Sequence, residues 1–289
     1  MNLPDKHKGI LMIVTSAFCF ALMNVCIRLA GDVPTVQKVL FRNLIAMLIA
    51  AVTLVRSGSG FLPTHKKNLP FLLARAGFGV LGMLANFYAV DHLLMSDASM
   101  LMKMAPFFAV IFSVFLLKEK LKPIQMLMLV CAFCGAMCIV KPTFGNMVLI
   151  PSVIGLCGGM FAGLAYTLVR LISQKGEKGS YIVFFFSAFS CLVLAPVALS
   201  AWRPLTAQQT LALLATGVCA AGGQFSVTAA YRYAPAREIS VYDYSQVIFA
   251  AIFGLFIFGD LPDALSVLGY VIIIGMAVLN FWYNNRHKA

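Results

Sequence analysis

Long apolar runs alternate with short polar segments along the whole chain. Each run has about the 20 residues that an α-helix needs to cross a bilayer. The runs fall into two groups of five: residues 9–30, 35–55, 70–92, 96–117 and 123–140, then 150–172, 180–199, 208–231, 237–258 and 263–283. This pattern predicts an all-α membrane protein with ten transmembrane helices.

The basic residues of the short segments lie almost entirely on one side of the predicted bilayer. With the N-terminus inside, the cytoplasmic segments hold Lys6, Lys8, Arg56, Lys66, Lys67, Lys118, Lys120, Lys122, Arg170, Lys175, Lys178, Arg232, Arg237, Arg286 and Lys288. The opposite segments hold Asp32, Asp91, Asp97, Asp260 and Asp263. Because positive charge favours cytoplasmic loops, we predict that both termini are cytoplasmic.

The composition agrees with a bilayer protein. Of the 289 residues, 61% are hydrophobic and 11% are charged, whereas a soluble domain carries about 25% charged residues. The net charge of +12 does not indicate nucleic-acid binding, because the basic residues lie in the short loops. We therefore predict the lipid bilayer as a partner and no nucleic acid.

The two halves of the chain repeat each other. When the chain is shifted along itself, the aligned pairs are Asp97–Glu238, Ser99–Ser240, Lys103–Tyr244 and Glu119–Asp260. Each half has five spans, an odd number, so the second copy enters the membrane in the opposite sense. We predict inverted repeats over residues 1–145 and 146–289, with a substrate site between them near the bilayer midplane.

Glycines at a spacing of four residues support a packed helical bundle. Gly155, Gly159 and Gly163 form two consecutive small-xxx-small steps. Such steps let the backbones of membrane helices approach closely. We expect one face of this helix to contact a neighbouring helix.

The order of these segments resembles a known family. The resemblance rests on the stretch from Ser96-Asp97-Ala98 through Ala105-Pro106 to Leu117-Lys118-Glu119, and on its echo around Ala234-Pro235-Ala236 and Gly259-Asp260. These features look like those of EamA-type transporters of the drug/metabolite transporter superfamily. The resemblance implies helices around a central cavity and the export or uptake of metabolites. It names no cargo, because the family carries amino acids, nucleotide-linked compounds and drugs among others.

Lys103 and Asp243 are the deepest oppositely charged residues, and charges inside a membrane usually serve a function. In straight helices Lys103 lies roughly 6 Å to the outer side of the midplane and Asp243 roughly 7 Å to the inner side. Their axial separation of roughly 13 Å predicts two poles of one cavity rather than an ion pair. Lys103 would suit a carboxylate or phosphate, and Asp243 a cationic group or a coupling proton.

Other polar residues at membrane depth complete the candidate substrate site. They are Arg42, Asn24, Asn86, Tyr166, Gln224, Tyr242, Tyr244 and Gln246. Arg42 could instead reach the outer interface, and the amides could simply join helices by hydrogen bonds. Arg75 lies within two turns of the cytoplasmic edge, so we expect it to extend to the interface. We predict no catalytic residue, no metal ligand and no cofactor.

These features predict a secondary active transporter of small organic metabolites that works by alternating access. The two poles favour an amino-acid-like or otherwise zwitterionic substrate. The alternative is a multidrug or cationic-metabolite exporter with Asp243 as its essential anion. We predict a multi-pass protein of the plasma (cytoplasmic) membrane that is not an enzyme. Its partners would be a small-molecule substrate, the lipid bilayer and, if transport is proton-coupled, protons. A monomer is sufficient because one chain holds both repeats, and a dimer stays open.

Overall fold

The computed structural model describes residues 5–56, 61–63, 66–116, 123–140, 149–233 and 240–286. Within these ranges every regular element is a helix. The prediction of an all-α protein is therefore confirmed for the described part of the chain. Glu119, Glu238 and the predicted repeat boundary at 145/146 lie outside the described residues.

The helices follow the predicted spans closely. The first half contains α1 (Asp5–Leu29), α2 (Thr35–Arg56), a 3₁₀ turn (Lys66–Asn68), α3 (Leu69–His92), α4 (Met95–Met102), α5 (Ala105–Leu116) and α6 (Pro123–Val140). The second half contains α7 (Leu149–Gln174), α8 (Gly179–Ser200), α9 (Ala207–Tyr233), a 3₁₀ segment (Ser240–Tyr244), α10 (Ser245–Phe253), a π-helical segment (Gly254–Phe258) and α11 (Ala264–Arg286).

Eight helical stretches of the described chain are long and apolar enough to cross a membrane. Shorter apolar helices cover Met126–Val140 and Tyr242–Phe258. The chain is thus a multi-pass membrane protein. The full count of ten spans stays a prediction, because these two described helices are shorter than the roughly 20 residues that a bilayer requires.

The two halves pack against each other in a reciprocal way. The first helix of each half packs on the third helix of the other, since α1 contacts α9 and α7 contacts α3. The second helices, α2 and α8, contact each other, as do α6 and α11. Contacts in which each copy uses the same pair of surfaces are typical of two units related by a two-fold axis.

The glycine stripe of α7 lies against the junction of α4 and α5. A Cβ atom added to Gly159 would lie 2.6 Å from the carbonyl oxygen of Leu101. At Gly163 it would lie 2.6 Å from the carbonyl oxygen of Ala105. The expected close approach is confirmed, and it holds α7 directly on the backbone at both sides of that junction.

Loops that carry acidic residues meet at one end of the bundle, here named the acidic end. Arg28 at the end of α1 pairs with Asp260, which follows the π-helical segment. The same carboxylate accepts the backbone N–H of Met95 at 3.2 Å, at the first turn of α4. Lys38 of α2 pairs with Asp91 of α3 at 2.6 Å. At the acidic end, Asp260 thus joins α1 and α4 to the end of the π-helical segment, and Asp91 joins α3 to α2.

Basic residues lie at the opposite end, here named the basic end. The ammonium group of Lys8 at the start of α1 lies 5.7 Å from the centre of the Tyr233 ring at the end of α9. Lys175 lies 3.6 Å from the centre of the Phe71 ring of α3. Acidic and basic loops thus occupy different ends of the molecule, while the orientation in the membrane stays a prediction.

Replacing Asp91 with asparagine is expected to destabilise the fold by roughly 3 kcal/mol, because fully buried Lys38 would lose its counter-charge. The melting temperature in mild detergent measures this effect. Asp32→Asn is the matched control, because Asp32 and its partner Arg203 are both exposed and 3.6 Å apart. The control should melt like the wild type. Equal melting of the two variants would contradict a structural role for the Lys38–Asp91 pair.

Candidate functional site

The fourth helix of the first half is interrupted near its middle. Lys103 and Met104 separate α4 from α5. The N–H of Phe107 donates to the carbonyl of Met104 at 3.0 Å, a three-residue step typical of a 3₁₀ turn. Pro106 in the first turn of α5 has no N–H, so the carbonyl of Met102 lacks its usual helical donor. The proline and the tightened turn together break the helix.

The equivalent helix of the second half is also irregular. Its described part comprises the 3₁₀ segment Ser240–Tyr244, then α10, then a π-helical segment. The repeat alignment pairs Lys103 with Tyr244, and both lie where one helical form gives way to another. The two halves therefore interrupt their fourth helices at equivalent positions.

An ion pair joins the two interruptions. The ammonium group of Lys103 donates to a carboxylate oxygen of Asp243. The hydroxyl of Tyr244 donates to the backbone carbonyl of Lys103 at 3.2 Å. That carbonyl is available because Phe107 donates to Met104 instead. The side chain of Lys103 is 11% exposed and that of Asp243 is 29% exposed, so the pair is largely buried.

The prediction that Lys103 and Asp243 form separate poles is wrong. It assumed straight α-helices with a rise of about 1.5 Å per residue. The interruption at Lys103 turns the chain, and the 3₁₀ geometry before α10 changes both the rise and the direction of the side chains. The two charges consequently meet in one place.

Asn24 of α1 is linked to the helix that ends just before Lys103. Its amide nitrogen donates to the hydroxyl of Ser99 at 3.3 Å. The carbonyl of Ser99 in turn accepts the N–H of Lys103 at 3.1 Å. The amide oxygen of Asn24 is buried and has no hydrogen-bond donor among the described residues. Asn24 is thus joined through Ser99 to the backbone of Lys103.

A second charged group lies among α2, α3, α8 and α9. Arg42, Arg75, Ser187 and Gln224 line a cavity of about 30 Å³ there, together with apolar side chains. Arg42 was a candidate in the sequence, and its Nη1 atom donates to Asn43 at 3.0 Å. The cavity brings Arg42 and Gln224 together, two residues whose helices are far apart in the chain.

Arg75 does not extend to the membrane interface, so that expectation is wrong. Its guanidinium lies 3.9 Å from the centre of the Phe186 ring and faces the same cavity as Arg42. Gly79, one turn further along α3, makes this possible, because a Cβ there would meet the Phe186 ring at 2.7 Å. The stacking partner on α8 was invisible in the sequence, although an arginine at membrane depth was itself a signal.

Tyr166 of α7 lies within electrostatic range of both charged groups. It interacts electrostatically with Arg42, Arg75 and Asp243. Its side chain is nevertheless 58% exposed.

The remaining candidates are Asn86, Gln246 and Tyr242. Asn86 is buried where α3 contacts α7, close to Gly158. Gln246 is buried in α10, and Tyr242 is 40% exposed. Within the described part of the chain, no hydrogen bond joins these three residues to the Lys103–Asp243 pair. The roles of all the candidate residues stay predictions.

A larger cavity, of about 410 Å³, lies elsewhere, in a groove between α3 and α7. Its lining residues include Leu81, Tyr88, Cys157 and Phe161. Among the described residues it holds no charged side chain. A polar metabolite would find few partners there, so the charged interior groups define the candidate site.

A helical membrane protein with an ion pair between two interrupted helices has the structure of a transporter. The chain belongs to the EamA-like transporter family, whose model matches residues 7–141 and again residues 150–282. The resemblance stated from the sequence is thereby confirmed. Membership indicates a transporter rather than an enzyme.

Relatives and a solved structure agree with this assignment. The chain is 32% identical over 276 residues to the pseudopaline exporter CntI of Pseudomonas aeruginosa (strain UCBPP-PA14), covering 95% of this chain and 96% of the relative. It is 27% identical over 303 residues to human solute carrier family 35 member G1, covering 98% and 82% respectively. A crystal structure at 15% identity matches with a TM-score of 0.66 over 97% of this chain and 99% of the other, so the fold is shared.

Proposed function

We propose that the protein is a secondary active transporter that moves small organic metabolites by alternating access between two inverted five-helix repeats. One observation carries the proposal: Lys103 and Asp243 pair at equivalent interruptions of the two halves. Charges inside a bilayer are costly, and interrupted helices commonly build substrate and ion sites in secondary transporters. The reciprocal packing of the halves supports the inverted repeat.

The ion pair suggests how cargo would be recognised. A zwitterion can offer a carboxylate to Lys103 and an ammonium group to Asp243, so neither buried charge would lose its partner. Cargo with a single charge would leave one of the two residues uncompensated, which is unfavourable at low dielectric. This argument supports an amino-acid-like or otherwise zwitterionic substrate. Protonation of Asp243 would also release Lys103, so the same carboxylate could couple transport to protons.

The contacts at the acidic end support a gating role. Arg28–Asp260 and Lys38–Asp91 hold this end together, and the first of these pairs also fixes the start of α4. In our proposal the acidic end faces away from the cytoplasm, and its contacts open when cargo crosses. Both termini and the basic end would then be cytoplasmic, in the plasma membrane, and the chain would span the bilayer ten times.

The topology has a direct test. Green fluorescent protein fused to the C-terminus is expected to fluoresce, whereas alkaline phosphatase fused there is expected to be inactive. Reversed activities would contradict the proposed orientation. They would leave the ion pair and its proposed role in cargo binding unaffected.

One relative is named a pseudopaline exporter and another an S-adenosylmethionine uptake transporter, so the proposal includes both directions of transport. A multidrug or cationic-metabolite exporter would need Asp243 free to bind a cation. The pairing with Lys103 disfavours this alternative, because the cation would have to displace an ammonium group that stays buried.

Cargo binding is expected to raise the melting temperature of the purified protein in mild detergent. A ligand at a hundredfold excess over its dissociation constant stabilises the folded state by about 2.7 kcal/mol. We expect hits among amino acids and their derivatives in a panel that also contains nucleosides, organic acids and quaternary amines. The hits should disappear in Lys103→Ala and Asp243→Asn. Hits confined to lipophilic cations would instead support the multidrug alternative.

A further inference from the structure

The cavity between α2, α3, α8 and α9 contains donors that have no partner among the described residues. The Nε atoms of Arg42 and Arg75, the Nη1 atom of Arg75 and the hydroxyl of Ser187 are buried. None of these atoms has a hydrogen-bond partner among the described residues. No ion pair joins either arginine to a carboxylate in the described part of the chain.

Such an arrangement is unfavourable in an empty protein. An uncompensated buried charge destabilises a fold, and here two guanidinium groups share one cavity and repel each other. Asn43 satisfies one atom of Arg42, and Phe186 offers Arg75 only a ring face. A purely structural pair of arginines would be expected to have an acidic partner. The unused donors therefore point to an anion that arrives from outside.

The size and chemistry of the cavity favour a carboxylate. A single water needs roughly 10–15 Å³ of space on the usual measure, so about 30 Å³ accommodates two oxygen atoms. Guanidinium groups match the two oxygens of a carboxylate through parallel hydrogen bonds. The Ser187 hydroxyl can donate a further bond. Gln224 and apolar side chains, among them Val183 and Ala220, line the rest.

We propose that Arg42 and Arg75, together with Ser187, form a carboxylate-binding subsite that is separate from the Lys103–Asp243 pair. Tyr166 lies within electrostatic range of both groups, so in this proposal one cargo molecule contacts both of them. The cargo is then an amino-acid-like molecule with an additional carboxylate. The subsite's place in transport rests on the proposed function, whereas its binding of an anion can be measured independently.

Acetate is the probe, because it is the carboxylate group with little else attached. At about 100 mM, against equal ionic strength from sodium chloride, it is expected to raise the melting temperature by roughly 2–4 °C. Acetamide, which has the same shape without the charge, should have no effect. Inorganic phosphate tests the other common oxyanion and should be weaker, because four oxygens exceed the space available.

The acetate effect should disappear in Arg42→Gln and Arg75→Gln, and it should weaken in Ser187→Ala, a smaller change that preserves the fold. Arg203→Gln is the matched control, since Arg203 is 63% exposed and lies outside the cavity. Without acetate, Arg75→Gln should melt no lower than the wild type, because it removes an uncompensated charge. A merely structural arginine would give a clear loss of stability instead.

Equal increases of the melting temperature with acetate and acetamide would overturn the subsite. An increase with acetate that persists in both arginine variants would also overturn it. A response to phosphate alone would overturn its assignment to carboxylates. If acetate does not change the melting temperature but the protein transports a cation, the transporter proposal stands and only the subsite is overturned. Acetate binding that depends on the two arginines, without transport of any metabolite, would support the subsite and contradict the transporter proposal.

Discussion

Asp243→Asn is expected to lower the transport rate by at least about 100-fold, which corresponds to about 2.7 kcal/mol. The substitution removes the counter-charge of Lys103 and leaves an ammonium group in the interior without its partner. Breaking one member of a buried pair typically costs about 3–5 kcal/mol. Initial rates of cargo uptake into proteoliposomes measure the effect, after the amount of inserted protein has been matched.

A double variant separates transport from stability in this experiment. Lys103→Met combined with Asp243→Leu removes both charges and fills the space with apolar groups, so the melting temperature should stay near the wild-type value. Transport should still be absent, because no charged group remains to recognise cargo. Wild-type rates in the double variant would show that the ion pair has no part in the mechanism.

Gly163→Ala is expected to destabilise the protein by at least about 2 kcal/mol, although it adds only one methyl group. The new Cβ would lie 2.6 Å from the carbonyl oxygen of Ala105 and 2.9 Å from the backbone nitrogen of Ala109. These are backbone atoms just after the break at Lys103, so they cannot give way without moving α5. The melting temperature should fall, and transport should fall with it because the position of Lys103 depends on this contact.

Gly77→Ala is the matched control for this prediction. Gly77 also lies inside a membrane helix, but a Cβ there would meet nothing within 4 Å. Alanine restricts the unfolded chain more than glycine does, so the control should be unchanged or more stable by about 0.5–1 kcal/mol. Similar melting of Gly163→Ala and Gly77→Ala would contradict the close packing of α7 on α4 and α5.

Features that follow from local pattern could be predicted from the sequence. The apolar runs predicted the helices, because the bilayer requires a minimum length and an apolar composition of each span separately. Gly159 and Gly163 predicted a close helix contact, since a Cβ atom at either position would lie 2.6 Å from a carbonyl oxygen of the neighbouring segment. In both cases the residues that signal the feature lie within one helix, so the sequence alone reveals them.

Features that depend on deviations from regular helices could not be predicted. The depth estimate for Lys103 and Asp243 used straight helices, and a local 3₁₀ turn was enough to bring the two charges together. The prediction for Arg75 used its distance from the end of the helix. The direction of its side chain is instead set by Phe186 and Gly79 in the folded bundle. Tertiary contacts decide such directions, and one sequence alone does not reveal them.

The most direct test of a carrier that works through the Lys103–Asp243 pair is counterflow in proteoliposomes. Vesicles are loaded with unlabelled cargo, chosen from the metabolites that stabilise the purified protein, and diluted into a trace of the same labelled compound. The wild type should accumulate label transiently, and vesicles with Asp243→Asn should behave like protein-free vesicles. Equal accumulation by the wild type and Asp243→Asn would contradict the role of the pair. Failure of the wild type to exceed protein-free vesicles, despite bound cargo, would contradict the transporter itself.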